Sequence, residues 1–381
     1  MDEKDTKLKV TSCEILGELP DPFRKPDGSR IHDVSEWEQQ RKELLKTAVE
    51  LQYGTMPPAP EFLEIETLYK SAQTYGIMVH TGKRSAPVSF KLRVRLPKDG
   101  EGPFPVIVIG DACWSYFENA DYMNAALDEN VGFVFFDRTE LAHDVRHEGR
   151  AQGALYRTYP EYTFGAIGAW AWGFSRAVDA IEKTDLPIDH GWIAFAGHSR
   201  GAKAAALAGA LDLRARIVNP NSTCAGGCGC YRIHMKGLYG DEPEKPSETL
   251  ENLLDRFAFW MGPELGKYRT SEETLPFDTH YLKALVAPRT LYVSEALGDL
   301  WANPVGSYVT TIAAKEVFRF LGAEDRLYWS FRPGFHQHLP VDIANLVAVL
   351  KHERCGASLG EQFFGAPAES ITLPFDWRRP E

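Results

Sequence analysis

The chain has 381 residues, with 42 basic against 53 acidic side chains and a net charge of −11. Apolar residues make up 44% and charged residues 25%, near the globular average, so the chain can bury a sizeable core and bulk disorder is excluded. No Lys/Arg cluster stands out on this acidic background, which argues against nucleic acid as a partner. No apolar run reaches the ~18–20 residues of a membrane span, so no membrane partner is expected.

The first residues, Met1 to Lys7, mix charges of both signs with no apolar segment behind them, so no secretory leader is expected and a cytoplasmic location is. Six cysteines are too sparse for a disulfide scaffold, and reduced thiols are expected. Nine tryptophans suit flat or sugar-like ligands, and equally an ordinary core. Oligomeric state is not legible.

Residues 1–34, rich in Pro, Asp and Lys, read as an irregular arm. Glu36 to Gln52 carries a helical period through Trp37, Leu44, Leu45, Ala48 and Leu51, stopped by Gly54 and Pro57. Val88 to Leu96 alternates apolar and polar residues, as an antiparallel strand with one wet face does. From Pro103 short continuous apolar runs appear instead: Pro105 to Ile109, Val131 to Phe136, Ile193 to Ala196, Ala215 to Val218, Thr290 to Val293 and Leu327 to Phe331. Between them lie helical stretches at 164–183, 201–211, 250–260, 308–321 and 341–352. Such alternation predicts an α/β protein with a mostly parallel sheet covered on both faces, its chemistry at the carboxyl ends of the strands. No linker divides the chain. A single domain is expected, with an arm, helix and antiparallel strands over 1–100, a catalytic core over 101–355 and a tail over 356–381.

Gly197-His198-Ser199-Arg200-Gly201 fits G-x-S-x-G, with an apolar strand before it and the alanine-rich stretch Ala202 to Leu207 after it. That strand–turn–helix setting presents a serine on a strained elbow, which makes Ser199 the candidate nucleophile. A serine hydroxyl needs a base, itself oriented by an acid, in the chain order Ser, Asp/Glu, His. His336 follows the last predicted strand on a Pro-Gly turn and is the candidate base, with His338 as alternative. His352 reads as solvent-facing and His280, ahead of a strand, as structural. Asp299, in a Gly-containing loop after Thr290 to Val293, is the preferred acid over Glu295. The oxyanion is expected to meet the N–H of Arg200 and a second N–H from the loop Gly110 to Trp114, with the Arg200 guanidinium as a further donor.

These residues resemble carbohydrate esterase family 15, the glucuronoyl esterases, in their bacterial form. Leu19-Pro20-Asp21-Pro22-Phe23 with Trp37 and Tyr53-Gly54 looks like the family's N-terminal segment. Gly165 to Gly173 with Arg176 and Asp179 is similar to its long helix, and 197–220 to its nucleophile block. His280, Ala287-Pro288-Arg289 and Asp299-Leu300-Trp301 complete the match. The resemblance implies a three-layer α/β-hydrolase sandwich acting on esters between glucuronic acid of xylan and lignin alcohols, or on simple methyl and benzyl uronates. It implies Ser199 as nucleophile, His336 as base, Arg200 as oxyanion stabiliser, Lys203 on sugar hydroxyls and Trp301 packed on the uronate. Many members carry the triad glutamate after the strand that follows the nucleophile helix. Here that stretch, Asn219 to Cys224, holds no carboxylate, which moves the acid to Asp299. A cysteine that often precedes the nucleophile, bridged to one near the base, is replaced by His198.

The expected activity is that of a serine ester hydrolase on a uronic-acid ester of a small molecule or oligosaccharide. A carbohydrate deacetylase is the same-class rival, and a silent binding protein on the hydrolase scaffold the different-class one. No cofactor is expected. Cys224, Cys228 and Cys230 supply three thiols without an evident fourth ligand, so no metal is expected either, and packing in a Gly-rich loop is the reading preferred.

Overall fold

The computed structural model describes residues 7–146 and 152–380, so Met1 to Thr6, on which the leader expectation rests, lie outside the described residues. Strands are numbered in chain order: β1 Leu8–Ile15, β2 Phe62–Lys70, β3 Thr74–Lys83, β4 Ala86–Arg95, β5 Phe104–Ile109, β6 Gly132–Phe136, β7 Ile188–His198, β8 Ala215–Asn221, β9 Ile233–Tyr239, β10 Lys245–Pro246, β11 Thr290–Ala296 and β12 Leu327–Arg332. Nine of them form one sheet in the order β12-β11-β8-β7-β5-β6-β4-β3-β2. From β12 to β6 every pairing is parallel, and β4, β3 and β2 extend the sheet antiparallel.

The continuous apolar runs are buried on both faces. In β5, Val106 and Val108 enter one core with the helices Ala166–Ile181 and Arg200–Leu211. Ile107 and Ile109 enter a second core with the helices Ala120–Leu127 and Pro340–Cys355. The period of two thus divides one hydrophobic run between two layers, which makes a three-layer α/β-hydrolase sandwich. Each fully buried Val, Ile or Phe contributes about 1.5–3 kcal/mol.

Chain order reverses around β5: β6 lies on one side, while β7, β8, β11 and β12 step away on the other. The crevice beyond the carboxyl ends of β5 and β7 is therefore the topological switch point, where ligands of open parallel sheets bind.

Several elements differ from expectation. The arm over 1–34 contains β1, which pairs antiparallel with β9, a strand not foreseen, to build a small second sheet with β10. Strands β2 and β3 fall within the antiparallel strands expected over 1–100, of which only Val88 to Leu96 was located. The helix expected over 36–52 is interrupted by a wider π turn at Leu45–Glu50. That expected over 308–321 begins earlier, at Pro304, because the Asn303 side chain caps Gly306 N at 2.9 Å and proline suits a first turn. His352 is half-buried against Ala357 O rather than facing solvent. His280 opens the helix His280–Ala284 and is fully buried. Cys224, Cys228 and Cys230 are buried free thiols, and among the described residues no group of three or more metal-ligating side chains is arranged to hold an ion.

Candidate active site

β7 ends at His198, and the next residue turns sharply into the helix Arg200–Leu211. Ser199 takes φ 55° and ψ −121°, a conformation costing about 1–3 kcal/mol that persists only when its surroundings over-determine it. Here they do. Ser199 N donates to Asn221 O at 2.9 Å, and His198 N donates to Asp111 Oδ2 at 3.0 Å. Asp111 is fully buried, and its other oxygen takes Arg138, whose guanidinium lies between Trp114 at 4.4 Å and Trp170 at 4.9 Å. A Cβ at Gly201 would fall onto the Asp111 carboxylate, so the second glycine of the pentapeptide makes room for this brace.

The base and acid arrive on the next strands out. Beyond β11 and β12 the two loops are joined by Leu297 N to Arg332 O and Gly298 N to Gly334 O, both 2.8 Å. Any side chain at 298 would meet Gly334 O at 2.6 Å, which accounts for the glycine. Arg332 secures the base loop through Asp342 Oδ1 at 2.8 Å and Gln337 O at 2.6 Å. The result is a continuous relay: Ser199 Oγ lies 3.0 Å from His336 Nε2, and His336 Nδ1 lies 2.6 Å from Asp299 Oδ2. Asp299 is buried while the His336 side chain is 41% exposed, so the relay opens to solvent at its reacting end.

The alternatives stand elsewhere. His338 is buried, its Nδ1 3.1 Å from Tyr122 OH, and burial holds it down to about 4. Glu295 is buried on β11, and neither carboxyl oxygen has a hydrogen-bond partner among the described residues.

Arg200 Nη1 donates to Asp144 Oδ2 at 2.9 Å, and its guanidinium packs over Trp260 at 4.7 Å. Trp260 Nε1 in turn donates to Asp144 Oδ1 at 2.9 Å. Arg200 Nε is buried without a partner among the described residues. As the first residue of its helix, Arg200 also offers a backbone N–H without an intrahelical acceptor, at the positive end of the helix dipole. The loop Gly110 to Trp114 is less generous than expected: Ala112 N is spent on Phe136 O and Trp114 N on Asp111 O. Asp144 and Trp260 were missed from sequence, since neither sits in a motif or at a strand end.

Lys203 and Trp301 are not placed alike. The Lys203 ammonium is buried, donating to the carbonyls of Thr223 and Ala225 and lying 3.8 Å from Glu248 Oε2. It is committed to the floor of the site rather than extended toward open space. Trp301 is half-buried beside the same group, its carbonyl accepting from Glu248 N at 3.0 Å and its indole carrying Arg256 at 4.8 Å. Burial pushes the Glu248 carboxyl up, opposed first by Lys203. Glu248, within an unremarkable polar stretch, gave no signal in the sequence.

The family model described as "Glucuronyl esterase, fungi" matches residues 77–322. A 4-O-methyl-glucuronoyl methylesterase of Podospora anserina is 30% identical over 322 residues, covering 83% of this chain and 63% of its own length. One of Schizophyllum commune is 29% identical over 325 residues, covering 84% and 77%. Among solved structures, a carbohydrate esterase family 15 glucuronoyl esterase from Caldicellulosiruptor kristjansonii superposes with a TM-score of 0.80 at 27% identity, covering 94% of this chain and 98% of that one. The chain spans less than two thirds of the Podospora relative, yet the region matched by the family model runs from within β3 to just past the helix Pro304–Phe320, with Ser199 and Asp299 inside it. A strained serine elbow, a histidine–carboxylate relay and a family match over more than half the chain converge on one conclusion: the chain belongs to the glucuronyl esterase family.

Proposed function

We propose that this chain is a serine carboxylic-ester hydrolase acting on esters of glucuronic acid or its 4-O-methyl ether. The observation that carries the reading is the relay from Ser199 through His336 to Asp299, at 3.0 and 2.6 Å, in the switch-point crevice. The names of the relatives supply the acid side of the ester.

Ser199 Oγ attacks the ester carbonyl as His336 Nε2 takes its proton. Asp299 accepts the Nδ1–H, fixing the tautomer and stabilising the imidazolium. The oxyanion is met by the Arg200 backbone N–H and by the guanidinium of the same residue, whose side chain is 30% exposed. One such preorganised donor contributes about 10²–10³-fold to kcat. His336 then passes its proton to the departing alcohol oxygen, leaving the uronoyl group on Ser199. Water, deprotonated by the same histidine, attacks that acyl group and releases the uronic acid, and the proton returns to Ser199. Trp301 flanks the sugar ring. Lys203 acts from below, holding the Thr223–Ala225 loop and Glu248 in place, and reaches a hydroxyl only if that loop yields.

Parallel hydrolysis of benzyl glucuronate and p-nitrophenyl acetate, with Ser199→Ala as blank, tests this. Fast uronate turnover with little acetate activity is expected. The reverse preference would make the chain a deacetylase-type esterase, and silence on both would leave a binding protein on the scaffold.

A further inference from the structure

Resting on the same reading of the relay, the structure singles out a residue with no part in the proton transfers. His198 is buried directly ahead of Ser199. Its Nδ1 lies 2.6 Å from Asn221 Oδ1. The amide is itself held, since Asn221 Nδ2 donates to Ser294 Oγ at 3.0 Å. With its oxygen toward the ring, the amide accepts from Nδ1–H and fixes the imidazole plane from behind. The clamped ring lies 4.5 Å, centroid to centroid, from His336, tilted by 43°. On another side it meets His338 at 5.5 Å, nearly parallel at 14°. Burial, with His338 and His336 alongside, holds His198 well below the ordinary histidine range. It thus presents an uncharged aromatic surface at neutral pH.

His336 needs such a surface. Its side chain is 41% exposed and its only polar anchors among the described residues are the two relay partners. One of those, Ser199 Oγ, loosens its hold when it becomes acylated. A ring held only by Asp299 is free to swing toward solvent between the two half-reactions.

We propose that His198 is a positioning residue for the base: its ring, clamped by Asn221, is the slab against which the His336 imidazole packs, keeping Nδ1 on Asp299 and Nε2 at Ser199 throughout turnover. The imidazolium formed at each step also lies against a π-face rather than against bulk water alone.

Two variants separate the ring from its hydrogen bond. His198→Phe keeps an aromatic slab and loses the donor, while His198→Gln keeps an N–H toward Asn221 and loses the slab. With benzyl glucuronate, His198→Phe is expected to retain kcat within about fivefold and His198→Gln to lose about 100-fold, both with KM within about twofold of the parent. Equal kcat values for the two, or the reverse order, would overturn the proposal. Should either variant fail to fold, Asn221→Ser keeps the histidine and unclamps it. Several-fold slower fluorophosphonate labelling of Ser199 is then expected, and labelling at the parent rate would count against the slab. Labelling needs no ester, so a parent that labels yet leaves the uronate uncleaved refutes the substrate and not the role of His198.

Discussion

Two carboxyl groups four residues apart show how far environment divides chemically similar side chains. Asp299 receives His336 at 2.6 Å, whereas Glu295 is buried with neither oxygen in a well-formed hydrogen bond among the described residues. Burial pushes the Glu295 carboxyl upward, opposed first by the nearby Ser307 hydroxyl and then by Lys283, so the fold favours its protonated form. Asp299→Ala is expected to lower kcat on benzyl glucuronate by roughly 10³-fold or more, as loss of a triad acid does, while Glu295→Gln stays within about threefold. Near-parent activity in the aspartate variant would move the acid elsewhere. Stability reports Glu295 separately. Its folded value is raised while the unfolded chain titrates near about 4.3, so its contribution is fully present below that value and is lost as pH rises toward the folded one. The urea-midpoint advantage of Glu295→Gln over the parent should therefore widen between pH 5 and pH 8. A difference that stays flat with pH would show that Glu295 is ionised in the fold. From sequence, Asp299 was the better choice because its loop follows a buried run. Glu295 could not be dismissed, since nothing in the pattern says whether a strand's last side chains face the crevice or the core.

Among the elements, the legible parts were those whose two faces are both buried. β5, β6, β7, β8, β11 and β12 appear as short apolar runs because helices cover both sides. That placed the loops carrying Ser199, Asp299 and His336. β1 stayed illegible because Leu8–Ile15 is mostly exposed and mixes hydroxyl, charged and apolar residues, with its strand partner, β9, more than 200 residues away. The elbow combines the legible and the hidden: its glycines were visible, the brace they accommodate was not. Gly201→Ala would push a methyl group into Asp111, and with it Arg138 and the His198 N–H. Overpacking of this kind costs about 1–3 kcal/mol. The variant should melt below the parent and label with fluorophosphonate at least about tenfold more slowly. Gly266→Ala, where a Cβ meets nothing within 4 Å, is the matched control and should change neither. Equal behaviour of the two variants would remove Asp111 from the account of the elbow.

At the scale of the whole molecule, buried neutral histidines tie distant parts of the chain together and set its acid limit. His280 Nε2 reaches Pro20 O at 2.8 Å and its ring lies 5.7 Å from Trp377, whose own Nε1 donates to Leu19 O at 2.8 Å. One imidazole thus joins the N-terminal arm, an internal helix and the C-terminal tail. Burial holds His280 and His338 down to about 4, from an ordinary 6.5. A depressed folded value means that the neutral form belongs to the fold, so the stability these groups confer is complete above about 6.5 and drains as pH falls toward 4, by about 1.4 kcal/mol per pH unit for each group. General electrostatics runs the other way. The net charge of −11 moves toward zero as pH falls to about 5.6, and over that span the relief of self-repulsion by itself favours the compact state. The urea midpoint of the parent relative to His280→Gln, measured from pH 7 to pH 4.5, isolates the histidine, because charge relief and the opposite drift of Glu295 act on both proteins alike. A steady fall of the parent relative to the variant, which keeps an N–H donor for Pro20 but cannot be charged, is the expected result. A difference that stays flat on acidification would mean that His280 titrates as an ordinary histidine.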